Sequence, residues 1–189
     1  MQIHKHIEKK IEREYFFIKG TIDIDSNYFI EEIKKGFEEK SNNSYKTNVG
    51  GSMTSWGFFN DNKNFSTVLK KIINYLDKNI KLGPYVLSES WGFSLSIGEK
   101  TNLHAHEPNM WSGVLYLNDC NAPPLEFKEI GEILTPGKGN FAIFSSFLGH
   151  ETEVNENDST KFGISFNVKH VLFTWRLLKY MIFMYNQKT

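Results

Sequence analysis

The 189-residue chain has one cysteine, Cys120, and no excess of either charge. A lone cysteine cannot close an internal disulfide, so the fold must rest on its buried core, as is usual in a reducing compartment. Lys and Arg total 22 and so do Asp and Glu, giving a formal charge of zero. Without a net field to gather polyanions, nucleic acid and anionic membrane surfaces are disfavoured as partners. A membrane-length apolar run is also missing. The most apolar stretch, residues 171–185 (VLFTWRLLKYMIFMY), carries Arg176 and Lys179 and falls short of the roughly 20 residues that span a bilayer. It is expected to be a C-terminal helix packed on the core or on the second subunit of a homodimer. The N-terminus, MQIHKHIEKKIEREYFF, opens charged and lacks the apolar centre of a signal peptide, which predicts a cytoplasmic protein.

What is present falls into two unlike halves within a length suited to one domain. Residues 13–23 (REYFFIKGTID) read as an early strand and 26–40 (SNYFIEEIKKGFEEK) as a helix that Ser26 can cap, with Phe29, Ile30, Ile33 and Phe37 at helical spacing. A second helix over 65–80 puts Val68, Leu69, Ile72, Ile73 and Leu76 on one stripe. The polar, glycine-punctuated segment between the helices, and 41–60 in particular, has the composition of a lid over a site. From Tyr85 onward short strands separated by Gly, Pro, Asn and Asp indicate a sandwich or small barrel. The expected organisation is one domain, mainly β with N-terminal helices: support and loop over 1–84, a β core over 85–170 and a C-terminal helix over 171–189.

The chemistry concentrates in NLHAHEPNMWSGVLYLN, residues 102–118. On a strand, His104 and His106 share one face while Ala105 and Glu107 share the other. His150, after the strand in GNFAIFSSFLGH, can supply a third ligand. Imidazole suits Fe, Zn, Cu and Ni, and a three-ligand face with open positions suits oxygen chemistry at iron. An exposed polar pair is the plainer account of a His-X-His, and His4 and His6 in the lysine-rich terminus illustrate it. Glu107 is the tempting carboxylate of a two-histidine, one-carboxylate triad, and strand parity opposes it.

LHAHEPNMWSGVLYL, LEF, PGKGNFAIFSSFLGHETEV and KFGISFNV, in this order over about residues 85–170, resemble the 2-oxoglutarate- and Fe(II)-dependent oxygenases of a marine bacterial and phage-type group. TNVGGSMTSW (47–56) resembles a segment of the phage-type members. The resemblance implies a double-stranded β-helix, or jelly roll, in which His104, His106 and His150 hold Fe(II). It also implies 2-oxoglutarate as cosubstrate, its far carboxylate paired with Lys161, and hydroxylation of a small-molecule or peptide substrate. Two positions depart from the group: Lys161 stands where Arg is usual, giving a point charge instead of a bidentate fork, and Gly163 stands where Ser is frequent.

Tyr116 and Asn167 are further candidates for the cosubstrate pocket, and Trp56, Trp91 and Trp111 for the walls of a substrate cleft. Each is equally accounted for as core or strand-end structure. Cys120, beside no evident base, reads as inert. The alternative function is a cupin-type metal enzyme or metal-binding module: GEKTNLHAH opens like the first cupin motif, but the glutamate expected near Met110 and Trp111 is missing. A barrel without turnover is the third class.

Overall fold

The computed structural model describes residues 13–39, 47–80 and 85–170. The expected C-terminal helix over 171–189 lies outside them. The elements are β1 (Phe17–Thr21), α1 (Ser26–Glu39), β2 (Ser52–Met53), α2 (Lys63–Ile80), β3 (Tyr85–Leu95), β4 (Trp111–Tyr116), β5 (Leu125–Phe127), β6 (Glu132–Leu134), β7 (Asn140–Ser145) and β8 (Lys161–His170).

Both helices form where apolar periodicity places them, and each is capped by the residue just before it. The Asp25 carboxylate accepts the Tyr28 N–H at 3.1 Å, and the Asn62 side-chain Oδ1 accepts that of Phe65 at 3.0 Å. The expected cap, Ser26, is instead the first helical residue, its hydroxyl buried without a hydrogen-bond partner. On α1, Phe29 and Ile33 are buried; on α2, so are Val68, Leu69, Ile72 and Leu76. Burial of each such side chain contributes about 1.5–3 kcal/mol, enough to hold helices whose outer faces are lysine and glutamate.

Six antiparallel strands make the large sheet, in the order β1-β7-β4-β8-β3-β2. Its central strands are buried on both faces, and their side chains alternate between two cores. Trp111, Leu115, Ile143, Ile164, Phe166 and Val168 pack against the helices. Val114, Tyr116, Ala142, Phe144, Trp91 and Phe93 point the other way, towards β5 and β6.

That second layer is larger than its named strands. Beyond the β5-β6 pair, single bridges join Glu126 to Glu151, His104 to His150 and Val49 to Thr101, and Thr101 and Thr152 exchange further bonds of 2.9 and 3.0 Å. Hence segments 101–104, β5, β6 and 150–152 form a smaller layer opposite β3, β4, β7 and β8.

Two expectations are corrected. Residues 102–108 and 150–154 are not regular strands. Pro108 has no N–H to donate and restricts Glu107, and Asn109 closes a turn back onto the His106 carbonyl through its N–H (3.0 Å) and its side-chain amide (2.8 Å). Within 41–60, residues 48–50 bond to 100–102 and residues 52–59 are stitched along β3: Thr54 N–H donates to Gly92 O, Phe59 N–H to Ser90 O and Ser90 N–H to Trp56 O, and Phe59 is fully buried. They form a wall of the cleft, hydrogen-bonded to the sheet, where a lid was expected; 41–46 lie outside the described residues.

Candidate metal centre

Two loops carry the three histidines, and backbone bonds tie them to each other. His106 N–H donates to Ser146 O at 2.7 Å, Ser146 N–H to Met110 O at 3.3 Å, and the Ser146 hydroxyl to Asn109 O. The His104–His150 bridge completes the clasp. The rings of His104 and His150 lie 4.4 Å apart, those of His104 and His106 4.8 Å, and those of His106 and His150 5.1 Å. Ligand atoms from all three lie within 4.8 Å of one another. The pair His104/His106 thus shares a side, as parity predicts, although no regular strand carries it. Glu107 points away, exposed, and pairs with Arg13 at 2.8 Å.

The tautomers follow from the partners. A backbone carbonyl can only accept, so Nδ1 of His104, 2.8 Å from Asn102 O, and Nδ1 of His150, 3.0 Å from Leu148 O, must carry protons. Each Nε2 is then left with its lone pair, the arrangement that orients metal-binding imidazoles. Burial lowers the pKa of all three rings. His106 falls to about 3, through burial and then the charge of His104; His150 falls well below its ordinary value through burial and then His104 and His106; His104 is lowered by burial, partly offset by its bond to Asn102. At neutral pH the cluster is three neutral donors, the form a metal needs.

Behind the cluster a narrow cavity runs between the sheets, lined by Trp91, Phe93, Val114, Tyr116, Leu125, Phe144 and Lys161. Lys161, at the start of β8, is only 1 % exposed. Its ammonium donates to Pro123 O at 2.8 Å and sits 5.3 Å from the Tyr116 ring centre. Burial lowers its pKa to about 8, slightly offset by Cys120. Burial also pushes the Tyr116 hydroxyl up, as, to a lesser extent, does Cys120, so Tyr116 is a neutral wall.

In front of the cluster a wider cleft of about 320 Å3 opens, sharing Val49, Trp91, His104 and His106 with the cavity and adding Trp56, Glu89, Asn109, Asn167 and Lys169. Asn167 therefore lines the mouth, with its amide engaged at both ends: it accepts from Ser112 Oγ at 2.7 Å and donates to Glu89 Oε2 at 3.0 Å. Trp56 and Trp91 are cleft walls, their rings edge-on at 4.6 Å. Trp111 is not; it is buried on the helix side among Phe16 and Tyr85. Glu89, Phe93, Thr101 and Thr152 also line the cleft and cavity, and no sequence motif marks them. Alternation in ESWGFSL puts Glu89, Trp91, Phe93 and Leu95 on one face, a signal that could have found the first two of these together.

No protein-family model matches the sequence, and no curated protein does either. Solved structures match in fold. The viral collagen prolyl hydroxylase of Paramecium bursaria Chlorella virus-1, solved as a 2-oxoglutarate complex, is 14% identical with a TM-score of 0.61, over 84% of this chain and 97% of that one. A Pseudomonas putida prolyl-4-hydroxylase is 15% identical with a TM-score of 0.62, over 82% and 92%. HygX from Streptomyces hygroscopicus, with nickel and 2-oxoglutarate bound, is 10% identical with a TM-score of 0.57, over 82% of each. At these identities the likeness is one of fold: the chain has the mainly β architecture, with supporting helices, in which 2-oxoglutarate-dependent oxygenases are built.

Proposed function

We propose that the chain is a 2-oxoglutarate- and Fe(II)-dependent oxygenase that hydroxylates a small molecule or peptide, with His104, His106 and His150 as the metal ligands. One observation carries this: three neutral imidazoles converge at one end of a cavity whose other end holds a buried ammonium, Lys161. The donor set fits iron, which imidazole binds readily, and a buried cation fits a dicarboxylate that reaches inward from the metal.

When bound, Fe(II) and 2-oxoglutarate supply the oxidising chemistry, in which O2 and the cosubstrate give succinate, CO2 and one oxygen atom for a substrate C–H bond. The protein's own part is to bind, orient and exclude water. Lys161 pairs with the far carboxylate as a point charge, and Tyr116, Phe93 and Leu125 enclose the chain of the cosubstrate. Asn167 stands six residues along β8 from Lys161, roughly 20 Å at strand rise, so its task lies at the mouth and not on the cosubstrate carboxylate.

A cupin-type metal protein would share the jelly roll and the histidines but gives a buried Lys161 no task. The single-domain organisation and a cytoplasmic setting complete the proposal, the latter supported by the lone cysteine; no helix among the described residues is long and apolar enough to cross a membrane. The test is succinate formation from 2-oxoglutarate with added Fe(II), screened against substrate pools, together with anaerobic titration of 2-oxoglutarate. Absence of both turnover and cosubstrate binding would reject the oxygenase.

A further inference from the structure

Register along the sheet distributes charge in a way the metal chemistry does not require. The face turned towards the histidines carries Lys161 opposite Leu95 at the deep end and Asn167 opposite Glu89 at the mouth. Glu89 is half-buried, and its orientation is held by a relay: Ser112 donates to Asn167, which donates to Glu89 Oε2. Among the described residues Glu89 has no ion-pair partner. The other cleft carboxylate, Glu107, is already paired with Arg13. Lys169, two residues beyond Asn167, is exposed and makes no ion pair with Glu89. Next to Glu89 on β3 stands Trp91, and against it Trp56, 38% exposed at the cleft wall.

A positioned carboxylate beside an aromatic wall is a recognition pattern for a positively charged nitrogen group, through charge-assisted hydrogen bonding and the negative faces of the rings. We infer that the outer cleft selects its substrate by a cationic nitrogen group, with Glu89 as the counter-charge and Trp56 and Trp91 as the wall. The inference rests on the proposed oxygenase only for where the reacting centre lies; Glu89 determines which part of the substrate is held while the histidine end faces the bond to be oxidised. Asn167 is a positioning residue, acting through Glu89.

The test uses the full chain with Fe(II) and 2-oxoglutarate under nitrogen, and again without them. Three probes of nearly equal size are titrated by calorimetry: Nα-acetyl-lysine methylamide, Nα-acetyl-norleucine methylamide and Nα-acetyl-glutamate methylamide. The lysine probe should bind at least about tenfold tighter than the norleucine probe, the usual gain from one charge-assisted contact. Glu89→Gln keeps an acceptor for Asn167 and should abolish that preference; Trp56→Ala should weaken the lysine probe while leaving 2-oxoglutarate binding unchanged. Equal binding of the lysine and norleucine probes, tightest binding of the glutamate probe, no binding of any probe, or a preference that survives Glu89→Gln would each overturn the inference. Because these titrations need no turnover, their failure is distinct from failure to form succinate.

Discussion

His104 and His150 face each other across one antiparallel bridge, each backbone N–H donating to the other's carbonyl, at 3.2 and 3.0 Å. Facing residues of an antiparallel pair project to the same side, which is why rings from positions far apart in sequence stand 4.4 Å apart. The convergence of the histidine rings is thus set by backbone pairing, and the side chains follow it.

His106→Ala should therefore lose iron while Glu107→Ala retains it, as measured by metal analysis of the two purified variants. Among the described residues Glu107 is held in an exposed ion pair with Arg13, a kind of contact that contributes little. Iron kept by the first variant and lost by the second would restore a carboxylate to the triad.

Lys161→Ala should weaken 2-oxoglutarate binding by about 1.5–3 kcal/mol, the range for hydrogen bonds to charged groups, with iron content unchanged. Because burial lowers the Lys161 pKa to about 8, the wild-type affinity should fall as pH rises through that value and the ammonium is lost. The ligand-free fold should instead gain stability from about pH 8 up to the ordinary lysine pKa, since only the unfolded chain keeps its proton there. Anaerobic titrations and thermal melts at several pH values report the two trends.

Gly163→Ser, which would bring the position back to the residue frequent in the resembling group, should destabilise the fold by about 1–3 kcal/mol, the usual cost of overpacking. A Cβ at 163 would stand 2.5 Å from Cζ of Phe93 and 3.1 Å from Leu115 O, so the ring that walls the cavity fills the space a serine would need. A denaturant midpoint equal to that of the wild type would show that Phe93 can move aside.

Acid should unfold the metal-free protein early. All three site histidines have folded pKa values below the ordinary one, so as pH falls below about 6.5 the unfolded chain takes up protons that the folded site refuses, and stability drops until the folded pKa is reached. Replacing His106 by Gln should flatten the fall of melting temperature between pH 6.5 and 4; an unchanged slope would place the acid sensitivity elsewhere.

Much of this was legible in the chain. The apolar stripes on α1 and α2 are local consequences of which side chains avoid water, and the short strands β4, β7 and β8 stand between the turn residues that bound them; both appear where expected. His104, His106 and His150 were identifiable as candidates because a His-X-His and a histidine after a glycine-led strand are local patterns, whereas Lys161 entered only through the family resemblance. Ser26 misled because Asp25, one residue earlier, is an equally good cap and its carboxylate reaches the Tyr28 N–H. Residues 47–60 misled because a polar, glycine-rich composition describes a lid and an edge connection alike, and only the bonds to β3 distinguish them.

What the sequence by itself determined is the kind of chemistry: which residues can donate a lone pair or a positive charge, and which faces of strands and helices turn inward, since hydropathy and side-chain parity act over a few residues. What only the tertiary structure decided is placement: that Trp111 belongs to the helix-side core, that Asn167 is engaged by Ser112 and Glu89 at the mouth, and that Glu89 stands beside Trp91 near the histidines. Those depend on register between strands distant in the chain, and register is set by the sum of many pairings and not by any one residue.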